Sequence, residues 1–335
     1  MKTVACRTPL KPGIVKSLAA FAAISAASLL GAMPAQAQDY PTQTVKVVVA
    51  FSAGGTTDIL ARLISNHLSN EYKQSFVVEN KPGAGGNIGT ANVISAAPDG
   101  HTLIMNSVGP IAINPTLFKL KYDPLTDLVP IVQVADVPNV LVVNPALGVE
   151  NINDLVAKIK ANPGKFNYSS TGVGTSSHLS GYMMGKEGGL DITHVPYKGA
   201  DALNDLLAGR VQFMFATIPS VHPLITAGKL KAIAVSSLHR SRSLPDVPTM
   251  DESGFKGFQA GSWFGFFAPK GTPDEVVQKL NASVNRIIKQ PDIEKQMVHE
   301  GADPVGGTPE QYKAFIKSEY DRWKTIVIES GAVNN

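Results

Sequence analysis

The chain has 335 residues but only one cysteine, Cys6, only two tryptophans and only 17% charged residues. A single thiol excludes both a disulfide framework and a multi-cysteine metal site. No apolar run after the first 37 residues is long enough to span a bilayer. With 30 basic against 27 acidic residues, the net charge of +3 excludes an overall basic nucleic-acid binder. Catalytic signatures are missing as well. There is no Gly-x-Ser-x-Gly elbow and no His-Glu-x-x-His. The Gly-Lys pairs at 164–165, 185–186 and 228–229 run on into Phe166, Glu187 and Leu230, so none is a phosphate-binding P-loop. Seven histidines, at 67, 101, 178, 194, 222, 239 and 299, are scattered singly, and a histidine metal site would have to be assembled by the fold.

What is present begins with a leader. Lys2, Arg7, Lys11 and Lys16 precede the apolar run Leu18–Ala32, and Ala35-Gln36-Ala37 supplies small residues for cleavage. Residues 1–37 read as a signal peptide cut after Ala37, which sends the chain to the periplasm. An uncleaved membrane anchor is the alternative. Cleavage leaves 26 basic and 27 acidic residues and no cysteine, so the exported protein relies on its core.

Beyond the leader, short β-branched runs alternate with amphipathic stretches. Val45–Phe51 reads as a buried strand, 58–72 as a helix, Phe76–Asn80 as a strand, 87–97 as a helix and Thr102–Asn106 as a strand. A second set starts at Val140–Asn144. Helices follow at about 153–162, 177–186 and 200–208, and strands at 166–169, 192–195, 211–215 and 232–236. After a strand at 263–268, Thr272-Pro273-Asp274-Glu275 and Thr308-Pro309-Glu310-Gln311 both read as capping boxes, the second helix ending at Gly331. This alternation predicts an α/β fold of two units. Chain crossings near 135–139 and 259–263 suit a discontinuous first domain with a second inserted in it.

In open α/β sheets, ligands sit beyond the carboxyl ends of strands. Three loops lie at such places. Phe51–Asp58 (FSAGGTTD) offers glycines, hydroxyls and a helix start, which suits a carboxylate or phosphate, or else is a tight turn capped by Thr57 or Asp58. Lys81–Gly89 has glycines at 83, 85 and 89, one position too far for a dinucleotide fingerprint, yet it remains a glycine-rich anion loop. Ser169–His178 (SSTGVGTSSH) packs six hydroxyl residues and two glycines at a helix start, a dense donor patch with no defined Asp–His partners for a nucleophile. Trp263 and Phe264 line a pocket or belong to the core. Uncharged donor-rich loops on both units favour a small anion in a cleft between them.

The stretches YPTQTVKVVVAFSAGGTTDILAR, VVENKPGAGGNIGT, AAPDGHTL, NYSSTGVGTSSHLSG, HVPYKG, LLAGRVQFMF and WFGFFAPKGTP follow one another along the chain. In these the sequence resembles the Bug (TctC-like) family, the extracytoplasmic solute receptors of tripartite tricarboxylate transporters. The resemblance implies a two-domain type II periplasmic-binding-protein (Venus flytrap) fold. It places 38–139 with 263–335 in one domain and 140–262 in the other. It implies a small organic carboxylate as ligand, membrane transporter subunits as partners, a monomer, and no nucleic acid, cofactor, metal or catalysis. By position, ligand binding falls on Ser52, Ala53, Gly54, Thr56, Thr57 and Asp58, with Gly86 and Asn87 nearby, and on Thr171, Gly174, Thr175, Ser176, Ser177, Tyr197 and Lys198. Many relatives carry an amine-receiving aspartate after the strand ending QFMF; here Ala216 stands there, which favours a non-amino mono- or dicarboxylate. A sensory receptor for a carboxylate and a periplasmic serine hydrolase built on Ser177 and His178 are the alternatives.

Overall fold

The computed structural model describes residues 1–5, 40–199 and 201–329. The leader's apolar run, the cut after Ala37 and the Gly331 helix stop lie outside these residues. Contacts divide the chain between Tyr40 and Pro41, and all the elements named below lie in the unit from Pro41 onward. No helix among the described residues is long and apolar enough to cross a membrane.

The strands are β1 (Val45–Val49), β2 (Phe76–Asn80), β3 (Thr102–Ser107), β4 (Leu128–Val143), β5 (Phe166–Ser170), β6 (Ile192–Pro196), β7 (Phe213–Thr217), β8 (Lys231–Val235), β9 (Gly261–Pro269) and β10 (Asp303–Pro304). They join in the order β2-β1-β3-β9-β4-β7-β5-β6, with β8 and β10 also on β4. The β1–β2, β1–β3, β5–β6 and β5–β7 pairs are parallel, as crossover helices require. Their partners β4 and β9 run antiparallel to them or to each other.

The helices that matter for the site are α1 (Thr56–Tyr72), α2 (Asn87–Ile94), α3 (Ile152–Ala161), α4 (Ser176–Gly188), α5 (Asp201–Leu207), α6 (Ile218–Thr226), α7 (Asp274–Ile288), α8 (Pro291–His299) and α9 (Pro309–Glu329). Leu60, Ile64 and Leu68 of α1 repeat every four residues and are all buried, the stripe that seats the helix on the sheet. The expected box at the start of α9 is real: the Thr308 N–H donates to Gln311 Oε1 (2.9 Å) and the Gln311 N–H to Thr308 Oγ1 (3.2 Å). The one expected ahead of α7 is not. Thr272 instead donates its hydroxyl to the Pro269 carbonyl (2.8 Å), and Pro273 takes the cap position without a side-chain bond.

The largest departure is β4. Only its last residues read as a strand in the sequence, yet it runs for 16 residues. Its first part, Leu128–Pro138, pairs with β9; from Asn139 on it pairs with β7. Two prolines disguise it, and both sit where a missing N–H costs little. Pro130 lies at a bulge, and Pro138 is the last residue opposite β9 before the partner changes. At the change, the Asn139 N–H donates to Ser236 Oγ (2.9 Å) and the Ser236 N–H to the Asn139 carbonyl (2.8 Å). The Asn139 amide reaches the Ala260 carbonyl (3.1 Å), so both expected chain crossings are tied into one buried polar knot.

Candidate functional site

Strand ends and helix starts converge on a cavity of about 60 Å³. Gly55, Thr56 and Thr57 come from the start of α1, and Thr175, Ser176 and Ser177 from the start of α4. Thr217 caps α6 and, with Ser220 one turn on, adds a third helix start. Ser107 ends β3 and Val108 and Gly109 follow it, Asn139 sits at the β4 crossing, and Ser262 and Phe264 come from β9. Phe51, Leu203 and Met214 supply apolar wall, with Ala216 between Phe215 and Thr217. Every lining side chain is uncharged. Three helix N-termini offer partial positive charge and free N–H groups, and the threonine and serine hydroxyls add donors. That suits an anion held by dipoles instead of an ion pair.

The loop ahead of α1 is braced by Asp58 from behind. Its carboxylate accepts from the Gly54 N–H (3.0 Å), from Arg62 Nε (3.0 Å to each oxygen) and from the Asn80 amide (3.0 Å). Burial pulls this carboxyl up, but the bonds from Arg62, Gly54 and Asn80 outweigh it and hold it below the usual carboxylate range. The Asn80 amide also reaches the Phe51 carbonyl (3.0 Å), fixing both ends of the turn. With Gly55 as a cap that has no side chain, the Thr56 and Thr57 hydroxyls are not spent on capping. Thr56 Oγ1 meets Thr217 Oγ1 at 2.7 Å across the cleft, and Ser52 donates to the Lys198 carbonyl (2.7 Å).

The loop ahead of α4 is braced by neutral groups. Thr175 Oγ1 accepts from the His178 N–H (3.4 Å) and donates to the Gly172 carbonyl (2.8 Å). The Gly174 N–H donates to His178 Nδ1 (3.3 Å), which fixes that nitrogen as an acceptor. The His178 ring stacks on His194 (centroids 4.1 Å apart), whose Nε2 lies 2.6 Å from Ser170 Oγ. Burial pushes His178 down to about 4, and burial together with the neighbouring His178 pushes His194 down to about 3. Gly174 has φ +79°, and a Cβ there would lie 1.9 Å from Asn114 Oδ1, so only glycine fits.

Of the residues singled out in the sequence, Thr56, Thr57, Thr171, Thr175, Ser176, Ser177 and Ala216 line the cavity. Ser52 bridges the cleft rim, Ala53 and Gly54 are exposed, and Asp58 faces away into its brace. Gly86 sits behind Phe51, where a Cβ would lie 2.4 Å from Pro110. Asn87 accepts from the Asn114 amide (2.7 Å), and Gly174 serves the loop backbone. The Tyr197 hydroxyl bonds to the Asp205 carboxylate, and the Lys198 side chain is exposed. Phe51 and Gly55 belong to the expected Phe51–Asp58 loop, whereas Ser107–Gly109, Asn139, Gly199, Leu203, Met214, Thr217, Ser220 and Ser262 were missed. Thr217 and Ser220 carried a usable signal, a polar pair with a proline opening a helix. Phe264 lines the cavity, whereas Trp263 packs edge-on against Tyr312 and Phe315. The hydrolase reading lacks its parts: Ser177 gives its hydroxyl to the Phe215 carbonyl, and His178 Nδ1 is occupied by Gly174.

Residues 60–332 match the model of the tripartite tricarboxylate transporter family receptor. Protein BugT of Bordetella pertussis is 38% identical over 304 residues, covering 90% of this chain and 93% of BugT. Among solved structures, Rpa4515 of R. palustris, with adipate, is 37% identical with a TM-score of 0.86, covering 88% of this chain and 99% of Rpa4515. MatC of Rhodopseudomonas palustris, with bound malate, is 34% identical with a TM-score of 0.82, covering 86% and 100%. The periplasmic binding protein BugD is 39% identical with a TM-score of 0.85, covering 88% and 100%. The two-domain periplasmic-binding fold is thus shared, and these relatives are binding proteins, not enzymes.

Proposed function

The chain belongs to the tripartite tricarboxylate transporter receptor family, and from that premise we propose that it captures a small organic carboxylate between two closing domains and delivers it to the transporter's membrane subunits. The domains are 38–139 with 263–335, and 140–262. The change of strand partner at Asn139 and the knot at Asn139, Ser236 and Ala260 support that division. Thr56, Thr57, Thr175, Ser176 and Thr217 hold the carboxylate, helped by backbone N–H groups at the starts of α1 and α4. Ligand that touches both halves stabilises the closed state, which is the form the transporter reads.

The observation that carries this reading is the cavity wall, charge-free and ringed by three helix starts. With Ala216 in place of a carboxylate, the wall has no partner for an ammonium group, so the ligand is a non-amino mono- or dicarboxylate. Residues 1–37 act as the export signal, and N-terminal sequencing of periplasmic protein should begin at Gln38. Titration calorimetry against a panel of aliphatic and aromatic acids and amino acids tests the ligand. Adipate- or malate-like acids should bind without turnover. An amino acid binding more tightly than every simple acid would overturn the ligand class.

A further inference from the structure

Two of the scattered histidines come together away from the cavity. His222, on α6, and His299 with Glu300, at the end of α8, place one ligand atom each within 4.8 Å of the others. The imidazole rings meet edge-on with centroids 5.0 Å apart. His222 Nδ1 is 3.8 Å from Glu300 Oε2, too long for a hydrogen bond. His222 is buried and Glu300 half-buried, while His299 is exposed.

The site is held from both sides. Gly301, directly after Glu300, has φ +82° and lies so close to α6 that a Cβ would sit 2.3 Å from Ile218 Cγ2. Arg242 Nε donates to Asp303 Oδ1 (3.1 Å) two residues further on. Ligand atoms around a tetrahedral zinc ion stand about 3.3 Å apart, from metal–ligand bonds of about 2.0–2.1 Å. Small side-chain rotations therefore bring these three donors to that spacing.

We propose that His222, His299 and Glu300 form a binding site for a divalent transition-metal ion, with zinc the best match. Two imidazoles and one carboxylate are borderline donors that suit zinc and not calcium or magnesium, which take oxygen shells. Solvent completes the fourth position, and Glu300 also borders a 220 Å³ surface cavity through which water reaches it. The ion joins α6, which lies between the two chain crossings, to α8, which lies after the second. This site is separate from the carboxylate cavity and does not rest on that reading.

Zinc titration into tag-free protein tests it. One ion should bind per chain, and H299A and H222A should each weaken it at least tenfold, with E300Q weakening it less. H239A, an exposed histidine elsewhere, should leave it unchanged. Cobalt(II) should give the visible bands of a tetrahedral site in the native protein and lose them in H299A, whose exposed position keeps the variant folded. Zinc binding equally well to H299A and H222A, or no zinc binding at all, would overturn the proposal.

Discussion

Ahead of α1 the backbone is held by a carboxylate, Asp58, clamped between Arg62, Asn80 and the Gly54 N–H. Ahead of α4 it is held by neutral groups: Thr175 on the helix start, His178 on Gly174, and His194 stacked behind. Asp58, His178 and His194 lie outside the cavity wall while Thr175 lines it, which leaves every lining residue uncharged. The two loops thus reach the same result, a rigid ring of donors, with supports that respond differently to acid and to mutation.

The severest way to break the symmetry is to put charge inside. Ala216 is 1% exposed and lines the cavity. A216D should weaken carboxylate binding on the order of 100-fold by facing one anion with another, read by calorimetry. Wild-type affinity in A216D would mean that the neutral wall is irrelevant to recognition.

Removing the charged brace comes next. D58A takes the acceptor from the Gly54 N–H and from Arg62 Nε, and one of two acceptors from the Asn80 amide, and should cost about 2–3 kcal/mol of stability in urea unfolding. Affinity should fall with it as Thr56 and Thr57 lose their placement. Unchanged stability would show that the turn holds itself.

Acid separates the two braces. In the unfolded chain the histidines titrate near 6.5, but folded His178 and His194 resist protonation until about 4 and about 3. Between those limits the unfolded state binds protons that the folded state refuses, so stability falls as pH falls, each group contributing about 1.4 kcal/mol per pH unit. The Asp58 brace behaves otherwise: its carboxyl lies below its usual value, so its contribution is lost only as pH falls through that lower range. Melting curves should therefore drop between pH 6.5 and 4.5 and flatten in H178N/H194Q. An equally steep drop in the double variant would move the acid sensitivity elsewhere.

The mildest test is T217V, which removes the hydroxyl facing Thr56 at 2.7 Å. One neutral hydrogen bond is worth about 1 kcal/mol, so ligand affinity should weaken roughly fivefold. No change would mean that the Thr56–Thr217 contact does not report closure.

The sequence made the donor loops visible because glycines and hydroxyls cluster after β-branched runs, and both loops lie beside the cavity. It hid what arrives from far away. Ser107, Asn139 and Ser262 sit on strands with no local signature, and only the change of partners along β4 brings them together. β4 also carries Pro130 and Pro138, residues rare inside strands, and tolerates both. The family resemblance puts Asp58 among the ligand residues, whereas its carboxylate is paired with Arg62 one helical turn on, a partner visible in the sequence. The pairing of His178 with His194 needed β6 beside β5, which spacing alone does not specify.

A binding cavity walled by dipoles has a consequence for life in changing brine. Dissolved ions weaken attraction between separated, water-exposed charges, and their reach shrinks from about 10 Å at 0.1 M to about 3 Å at 1 M. The donors around this cavity act at contact distance, and none is a side-chain cation that counter-ions could cloak. Capture by this protein should keep its strength whether the surrounding medium is fresh or saline, where a receptor built on an exposed arginine would lose its grip.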